Sequence, residues 1–351
     1  MAVVRSALLL CATVAVSAIL CWLLIRFSGL LPFMKEPARG RWHRTPVPDS
    51  GGLAIFAAVS LACLFVPLDP PRAVVAGATS LWLLGIVDDR VNLRAGPKLV
   101  IQLVVTSLVV ISGVCFDLSP WYPLNFLLTV IWLAGITNAV NLIDNMDGLA
   151  AGSAIIIALF RAILLIAHGH RDEALLCGVL AAACGGFLIF NLQPARIFMG
   201  DGGSMFLGFT LAALTVTSAL PNKRSILVGL YPPLTFAYPI FDTLLVSLLR
   251  RVSRRPICAG GCDHSSHRLA SLGWSDRTVV FILWLFTALG GLLGLLLNKA
   301  PFTGASLAIL FALFVGLFGL ALANMPYRPA NAVVSLRPDE RQVLHSTPGR
   351  T

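Results

Sequence analysis

The segment that decides the fold reads LNFLLTVIWLAGITNAVNLI (124–143), DNMDG (144–148) and LAAGSAIIIALFRAILLIA (149–167). Two apolar runs, each long enough to cross the roughly 30 Å hydrocarbon core of a bilayer, enclose a polar turn that contains two aspartates. Apolar runs of this length predict transmembrane helices. The turn between them would hold its carboxylates at a membrane surface, where such groups are costly unless they are paired or bind a cation.

The same alternation of apolar runs and short polar turns recurs along the chain. Of its 351 residues, 57% are hydrophobic and 12% are charged, which excludes a large water-soluble core. We predict an all-α, polytopic membrane helix bundle with about eleven transmembrane helices, formed by residues 1–323, and a poorly ordered cytoplasmic tail, residues 324–351. The predicted spans are 7–31, 51–68, 73–87, 99–115, 124–143, 149–167, 174–190, 205–219, 226–249, 278–297 and 303–323.

The distribution of positive charge predicts the orientation of the bundle. If the segment after the first helix is cytoplasmic, most of the 26 lysines and arginines lie on that face, as the positive-inside rule favours. We therefore expect the N-terminus outside, the C-terminus in the cytoplasm, and a multi-pass protein of the inner (plasma) membrane. The net charge of +10 reflects this asymmetry, and no basic module with exposed aromatic residues indicates nucleic-acid binding.

Adjacent carboxylates end the third predicted helix. Asp88 and Asp89 are followed within ten residues by three cations, the last of which is Lys98. Like-charged neighbours repel each other unless a metal, another cation or a shared proton offsets the repulsion, and this suits catalysis on a phosphate. A solvated turn before Pro97 is the alternative interpretation.

Polar side chains recur every third position at Asn138, Asn141, Asp144 and Asp147. Each three-residue step falls about 60° short of a full helical turn, so the four cannot face one site unless the helix ends. Gly148 can provide that end, which would leave Asn141 and Asp144 facing a site and Asp147 at its rim. For Asn138, hydrogen bonding between transmembrane helices is the alternative.

A glycine-rich turn, GDGGS at residues 200–204, precedes another apolar run. Backbone amides at such a turn and helix start favour an anion. A carboxylate there, Asp201, is more naturally a ligand for the hard cation that accompanies a diphosphate. A helix N-cap is the competing explanation for Asp201.

The longest polar loop combines arginines with histidines. The residues concerned are Arg250, Arg251, Arg254, Arg255, His264, His267 and Arg268. They predict an anion-binding loop, although arginines at this face also determine topology and contact anionic lipids. Cys258 and Cys262 could join the histidines at a zinc ion, but the spacing is too tight for a usual finger. A second basic segment, 35–52, adds positive potential on the same face.

In this order, the five segments resemble the polyprenyl-phosphate N-acetylhexosamine-1-phosphate transferases, over about residues 35–275. The resemblance implies transfer of a sugar 1-phosphate from a UDP-sugar to undecaprenyl phosphate or a similar polyprenyl phosphate, with release of UMP. It also implies a requirement for Mg²⁺, with Mn²⁺ as a substitute. The implied pathway is lipid-linked glycan synthesis, such as that of O-antigen or cell-wall polysaccharide, with an active site on the cytoplasmic face.

Residue roles follow from the resemblance only. Asp201 becomes the leading Mg²⁺ ligand with Asn141 near the metal, and Asp147 lies near the uracil. Asp88 and Asp89, with Lys98, would face the reacting phosphates, and Asp144 is the third candidate catalytic residue. The other implied substrate-binding residues are His264, His267 and Arg268.

Two positions depart from the family pattern. Ser266 stands where bacterial members often have the middle histidine of His-x-His-His-Arg, and Asn145 stands where a glycine is common. The muramoyl-pentapeptide branch of peptidoglycan synthesis has several clustered histidines in this loop, so we favour UDP-GlcNAc or a related UDP-HexNAc as the donor, with the muramoyl donor as the alternative.

Two further questions stay open at this point. A membrane transporter also carries intramembrane Asp and Asn beside broken helices, but its polar residues would lie near the bilayer midplane. For the transferase, direct attack by the lipid phosphate competes with a two-step route through an aspartyl-phosphate on Asp88 or Asp89. The expected partners are the UDP-sugar, polyprenyl phosphate, membrane lipids and a second copy of the chain.

Overall fold

The computed structural model describes residues 2–30, 34–35, 47–65, 71–217, 226–256, 261 and 263–325. Most of the predicted tail, together with Cys258 and Cys262, lies outside the described residues. A short 3-10 helix covers Ser28–Leu30, and two strands, β1 (Met34–Lys35) and β2 (Val47–Pro48), pair antiparallel. The α-helices in the described ranges are α1 (Ala2–Arg26), α2 (Gly51–Phe65), α3 (Arg72–Val91), α4 (Ala95–Ile111), α5 (Tyr122–Ile143), α6 (Leu149–Ala167), α7 (Arg171–Asn191), α8 (Gly200–Thr217), α9 (Ile226–Thr235), α10 (Ala237–Val252), α11 (Ser265–Ala270), α12 (Asp276–Lys299) and α13 (Pro301–Ala323).

The apolar runs of the sequence coincide with these helices, with one correction. A single span was predicted over 226–249, but the chain forms α9 and α10, which meet at Phe236 with a bend of 74°. Pro232 and Pro233 lie inside α9. Because proline donates no backbone hydrogen bond and its ring crowds the preceding turn, a sharp bend here has a local cause.

The helices make this a multi-pass membrane protein by length and composition. Among the described residues, six helices are long and apolar enough to cross a bilayer, and the bent α9–α10 pair would be a seventh span. α2 and α4 are apolar but shorter. The number of eleven crossings and the orientation of the termini remain predictions.

α8 forms the centre of the bundle. Every residue from Gly202 to Val216 is buried. Helices α3 and α2 approach its first turn closely, because a Cβ atom on Gly85 or Gly52 would overlap the backbone of Gly202 or Gly203, respectively. Small residues at these crossings let the helix backbones touch, which places the C-terminal end of α3 directly beside the start of α8.

One cation lies deep within the apolar part of the bundle. Arg161 of α6 is 2% exposed, and its Nη2 donates a hydrogen bond of 2.8 Å to the backbone oxygen of Leu214. Its guanidinium carbon lies 5.8 Å from the centroid of the Tyr231 ring. Arg161 therefore connects the last turn of α8 with α9, away from the acidic turn that follows α5.

The glycine contacts generate a stability prediction. We expect Gly85→Ala to lower the midpoint of thermal unfolding in detergent, because overpacking of a close contact costs about 1–3 kcal/mol. Gly135→Ala is the matched control, since a Cβ at Gly135 meets no atom within 4 Å. Equal midpoints for the two variants would contradict the close α3–α8 contact.

Candidate active site

Four helix ends converge at one end of the bundle around a lysine. The Nζ atom of Lys98, in the first turn of α4, lies 2.5 Å from Oδ2 of Asp88 and 2.7 Å from Oδ2 of Asp201. Asp88 comes from the last turn of α3 and is 7% exposed. The structure therefore brings three of the predicted site residues into direct contact, with one cation between two carboxylates.

Asp201 is held on its other oxygen by α5. The Nδ2 atom of Asn141 donates to Oδ1 of Asp201 at 3.0 Å and to Oγ of Ser204 at 2.8 Å. Asn141 was predicted to lie close to Asp201, and it does. Both oxygens of the Asp201 carboxylate thus point towards donors from neighbouring helices.

The carboxylate of Asp89 caps α8. Its Oδ1 accepts a hydrogen bond from the backbone N–H of Asp201 at 2.9 Å, and its Oδ2 accepts one from Gly202 at 3.2 Å. A carboxylate at a helix N-terminus satisfies orphan amides and interacts favourably with the helix dipole. Asp201, for which capping was the competing explanation, lies inside the first turn instead.

Asp88 also fixes the loop that leads to Lys98. Its Oδ1 accepts the backbone N–H of Leu93 at 2.7 Å. Between them, Asn92 adopts a left-handed conformation with φ 51°, which asparagine tolerates better than most residues. The two oxygens of Asp88 therefore hold the loop and the lysine at once.

The turn between α5 and α6 lies where the sequence predicted it. α5 stops at Ile143, Asp144 is its C-cap, and Gly148 opens α6 with φ 78°. The Oδ2 atom of Asp147 accepts the backbone N–H of Ala195 at 2.9 Å. Asp147 thereby joins this turn to the loop that leads into α8.

Two residues of this region were not singled out from the sequence. Asn191, at the end of α7, accepts a hydrogen bond from the N–H of Gly148 and donates one to the oxygen of Ile197, both at 2.9 Å. Asp49, which is 6% exposed, lies beside Asp89 at the start of α8, because a Cβ on Gly200 would lie 3.0 Å from its Oδ1. The sequence signal that could have identified Asn191 is its position as a polar residue at the end of an apolar helix.

The histidine loop is anchored by ion pairs. Asp263 bonds Nε of Arg250 at 3.0 Å and Nη1 of Arg255 at 2.9 Å. Although burial opposes it, the hydrogen bond from Arg250 and the charge of Arg255 hold the pKa of the Asp263 carboxyl below its ordinary value. Part of the positive charge of the predicted anion-binding loop is therefore neutralised within the loop.

Arg268 has a different environment from the one expected of a substrate-binding cation. It is 5% exposed, and its Nη1 donates to the backbone oxygen of Leu322 at 2.9 Å while its Nε donates to that of Asp263 at 3.2 Å. Arg268 thus connects α11 with the end of α13, and its assignment to the substrate remains a prediction.

The two departures from the family pattern contact each other. Oγ of Ser266 donates to Oδ1 of Asn145 at 2.7 Å, and Nδ2 of Asn145 donates to the oxygen of Leu142 at 2.8 Å. Oγ of Ser266 also lies 3.2 Å from Nδ1 of His267. This pair attaches α11 to the acidic turn, so the histidine loop and the carboxylates belong to one site.

His267 stays neutral at physiological pH. Burial, followed by the neighbouring His264 ring, lowers the pKa of His267 to about 4, and Asp242 and Asp263 oppose this shift only in part. A neutral imidazole can accept as well as donate a hydrogen bond. Among the described residues, no group of three or more His, Cys, Asp or Glu side chains is arranged to hold a metal ion, and the cysteines of the zinc alternative lie outside them.

Known proteins resemble this chain over most of its length. The model for glycosyl transferase family 4 matches residues 72–219. A probable undecaprenyl-phosphate N-acetylglucosaminyl 1-phosphate transferase of Bacillus subtilis (strain 168) is 34% identical over 310 residues, covering 84% of this chain and 86% of the relative. A decaprenyl-phosphate N-acetylglucosaminephosphotransferase of Mycobacterium tuberculosis (strain ATCC 25618 / H37Rv) is 34% identical over 289 residues, 70% and 71% of the two chains. A phospho-N-acetylmuramoyl-pentapeptide-transferase of Desulforamulus reducens is 33% identical over 284 residues, 72% and 82%.

An acidic cluster at one end of an apolar bundle, joined to a histidine loop, defines a membrane-embedded enzyme of phosphate chemistry. The chain belongs to glycosyl transferase family 4, the family of the polyprenyl-phosphate sugar-phosphate transferases. The family predicted from the five sequence segments is thereby confirmed. This membership favours the transferase over the transporter.

The contact between Asn145 and Ser266 generates a coupling prediction. We expect Asn145→Ala and Ser266→Ala to be non-additive in thermal stability, because removing either partner breaks the same hydrogen bond, with an interaction free energy of about 0.5–3 kcal/mol. A double-mutant cycle measures this coupling. Additive effects of the two substitutions would show that the pair contributes nothing beyond its separate side chains.

The low pKa of His267 generates a titration prediction. We expect its imidazole to remain neutral as the pH falls from 8 to about 5, because its pKa is about 4 rather than the ordinary value of about 6.5. NMR of ¹⁵N-histidine-labelled protein follows each imidazole, and His267→Gln identifies the signal. A midpoint near the ordinary value would contradict the burial of this ring.

Proposed function

We propose that the protein transfers N-acetylglucosamine 1-phosphate, or a related N-acetylhexosamine 1-phosphate, from the UDP-sugar to a polyprenyl phosphate such as undecaprenyl phosphate. An oxygen of the lipid phosphate forms a bond to the sugar-bearing phosphorus of the donor. The bond from that phosphorus to the UMP oxygen breaks, which yields a polyprenyl-diphosphate sugar and UMP. The observation that carries the proposal is the cluster of Lys98, Asp88 and Asp201 in a chain that matches transferases of this activity along most of its length.

The cluster supplies what phosphoryl transfer requires. Such reactions depend on positioning and on neutralisation of charge more than on covalent chemistry by the protein. Lys98 brings a positive charge to the centre of the site, and Asp89 fixes the start of α8 beside it. We assign Lys98 to the reacting phosphates, and Asp147, with His264 and His267, to the donor substrate.

The donor set fits a hard divalent cation. Asp201 and Asp88 offer carboxylate oxygens, and the amide of Asn141 lies against Asp201. Mg²⁺ commonly uses one or two carboxylates, keeps several waters and binds substrate phosphates, so a group of three protein acids is not required. Bound there, Mg²⁺ would offset the negative charge of the donor diphosphate.

The hydrogen bonds of the aspartates favour direct attack by the lipid phosphate. Asp88 accepts from Leu93 on one oxygen and from Lys98 on the other, and Asp89 accepts a backbone amide on each oxygen. A hydrogen bond or ion pair on each oxygen lowers the nucleophilicity of a carboxylate, although a second lone pair on each oxygen remains for a metal ion. Incubation with the UDP-sugar alone should therefore give no phosphosugar adduct in intact-mass spectra, and an adduct on either aspartate would support the two-step route.

The muramoyl-pentapeptide transferase is a second candidate, because a relative with that name is 33% identical over 72% of this chain. The Asn145–Ser266 contact occupies the position where that branch clusters its histidines, which favours the smaller N-acetylhexosamine donor. A panel of UDP-sugars separates the two, and exclusive use of the muramoyl-pentapeptide donor would reverse the assignment.

We place the site on the cytoplasmic face of the inner (plasma) membrane. The support is the charge distribution, which locates most lysines and arginines on the side of the acidic cluster. The donor is a water-soluble nucleotide sugar and the acceptor a membrane lipid, so a site at a membrane surface suits both.

The deciding experiment measures UMP release by the purified protein in detergent with UDP-GlcNAc, undecaprenyl phosphate and Mg²⁺. We expect Asp201→Asn and Lys98→Gln each to lower kcat by about 100-fold or more, because single electrostatic contributors to such transition states are worth that much. Asp172→Asn, an exposed carboxylate in the first turn of α7, is the matched control and should keep wild-type activity.

Two further results complete this test. Removal of divalent metal with EDTA should abolish UMP release, and addition of Mg²⁺ should restore it. A folded wild-type protein that releases no UMP from any UDP-sugar, or an Asp201→Asn variant as active as Asp172→Asn, would overturn the proposal.

A further inference from the structure

A buried carboxylate outside the acidic cluster holds the histidine loop. Asp242, on α10, is 0% exposed. Its Oδ2 lies 2.7 Å from Nδ1 of His264, and its Oδ1 accepts hydrogen bonds from the N–H of Ser265 at 2.8 Å and from the Oγ of Ser265 at 2.6 Å. Asp242 therefore fixes both the imidazole of His264 and the start of α11.

The contact determines where His264 carries its proton. A carboxylate that already accepts two hydrogen bonds from Ser265 can only accept from the imidazole, so Nδ1 must be protonated. Nε2 is the remaining polar atom of the ring, and among the described residues no hydrogen bond to it occurs. In a neutral ring of this kind, Nε2 is an acceptor, and the identity of this free nitrogen is set by the bond that the other nitrogen makes.

Anchored residues on both sides of His264 hold its contact with Asp242 at the active site. The residue before His264, Asp263, is tied to Arg250 and Arg255. Two residues after His264, Ser266 bonds Asn145 in the acidic turn. His264 thus lies between two anchored positions, one on α10 and one beside the carboxylates, so its free nitrogen is held in a fixed place.

We propose that Asp242 is a positioning residue of the active site, which acts through His264 by keeping the proton on Nδ1 and leaving Nε2 free to accept a hydrogen bond from an N–H or O–H group of the UDP-sugar. This inference rests on the proposed transferase function. It adds to that function a residue that makes no contact of its own with substrate. Without Asp242, the proton of a neutral His264 is free to move to Nε2, and the ring would then present a donor where an acceptor is needed.

The first measurement does not depend on activity. In ¹⁵N-histidine-labelled wild-type protein in detergent, at a pH at which the ring is neutral, the nitrogen shifts of His264, identified with His264→Gln, should show a protonated Nδ1 and an unprotonated Nε2. In Asp242→Asn the proton should move to Nε2. A wild-type His264 protonated on Nε2 alone would overturn the inference, even if Asp242→Asn could not be purified.

The second measurement is UMP release. We expect Asp242→Asn to lower kcat by about 10- to 100-fold, by analogy with the range found when the orienting partner of a metal-binding histidine is lost. In a His264→Gln background the same substitution should cost little, because its effect passes through the imidazole. Equal losses in both backgrounds would show that Asp242 acts only as a structural anchor.

Two controls separate orientation from folding. Ser265→Ala removes one hydrogen bond to Asp242 but leaves the imidazole contact, so the tautomer of His264 should not change. Asp276→Asn alters a carboxylate that bonds Nε2 of Gln193 at the start of α12 and touches no histidine; it should leave both the tautomer and kcat unchanged.

The failure of the inference can be distinguished from failure of the proposed function. UMP release by the wild type without the expected tautomer would overturn the role of Asp242 and leave the transferase intact. The expected tautomer, lost in Asp242→Asn, in a protein that is silent with every UDP-sugar would overturn the transferase while establishing that Asp242 orients His264.

Discussion

The position of Lys98 between Asp88 and Asp201 is the constraint on which the site depends. The two carboxylates come from α3 and α8, and both lie within 2.7 Å of the ammonium. Two like charges about 4 Å apart repel by about 4 kcal/mol at the effective dielectric of a protein surface, several times the net value of about 1 kcal/mol for one hydrogen bond. Two ionised carboxylates would not stay together without compensation, and Lys98 supplies the compensating charge where the ends of α3 and α8 meet.

The meeting of those two helices is itself fixed by backbone contacts. Gly85 and Gly202 allow the α3 and α8 backbones to touch, and Asp89 then reaches the free amides at the start of α8. The same short stretch of α3 therefore supplies a packing surface, a helix cap and, through Asp88, a partner for the lysine. Such a site is rigid before substrate arrives, which is the condition for electrostatic catalysis without reorganisation.

The sequence predicted the helices well because apolar length is a local property. It also predicted the end of α5 at residue 143, where the apolar run stops, although Gly148 begins α6 rather than ending α5. The proximity of Asn141 to Asp201 followed from the resemblance. The bend between α9 and α10 had a visible signal in Pro232 and Pro233, but an apolar run of sufficient length outweighed it. The partners of buried polar groups could not be predicted in this way.

Asp242 shows why. In the sequence it is one carboxylate in an apolar run, and only the fold reveals that His264 and Ser265, more than twenty residues away, contact its two oxygens. Arg268, whose charge suggested substrate binding, donates to the backbone oxygens of Asp263 and Leu322, and its charge alone does not predict these contacts. A charged residue in a loop has several chemically equivalent uses, and distant segments decide among them.

The Asn145–Ser266 contact changes the meaning of the two departures from the family pattern. Taken separately, a serine in place of a histidine and an asparagine in place of a glycine are two unrelated substitutions. In the structure they share one hydrogen bond of 2.7 Å.

A histidine at 266 would need the space that the Asn145 side chain fills, and a glycine at 145 would leave the Ser266 hydroxyl without this partner. The two positions therefore form one structural unit, in which a smaller side chain on α11 is matched by a larger one on the acidic turn. The loop keeps its attachment to the carboxylates, and both departures lie in the wall between the histidines and the acidic turn.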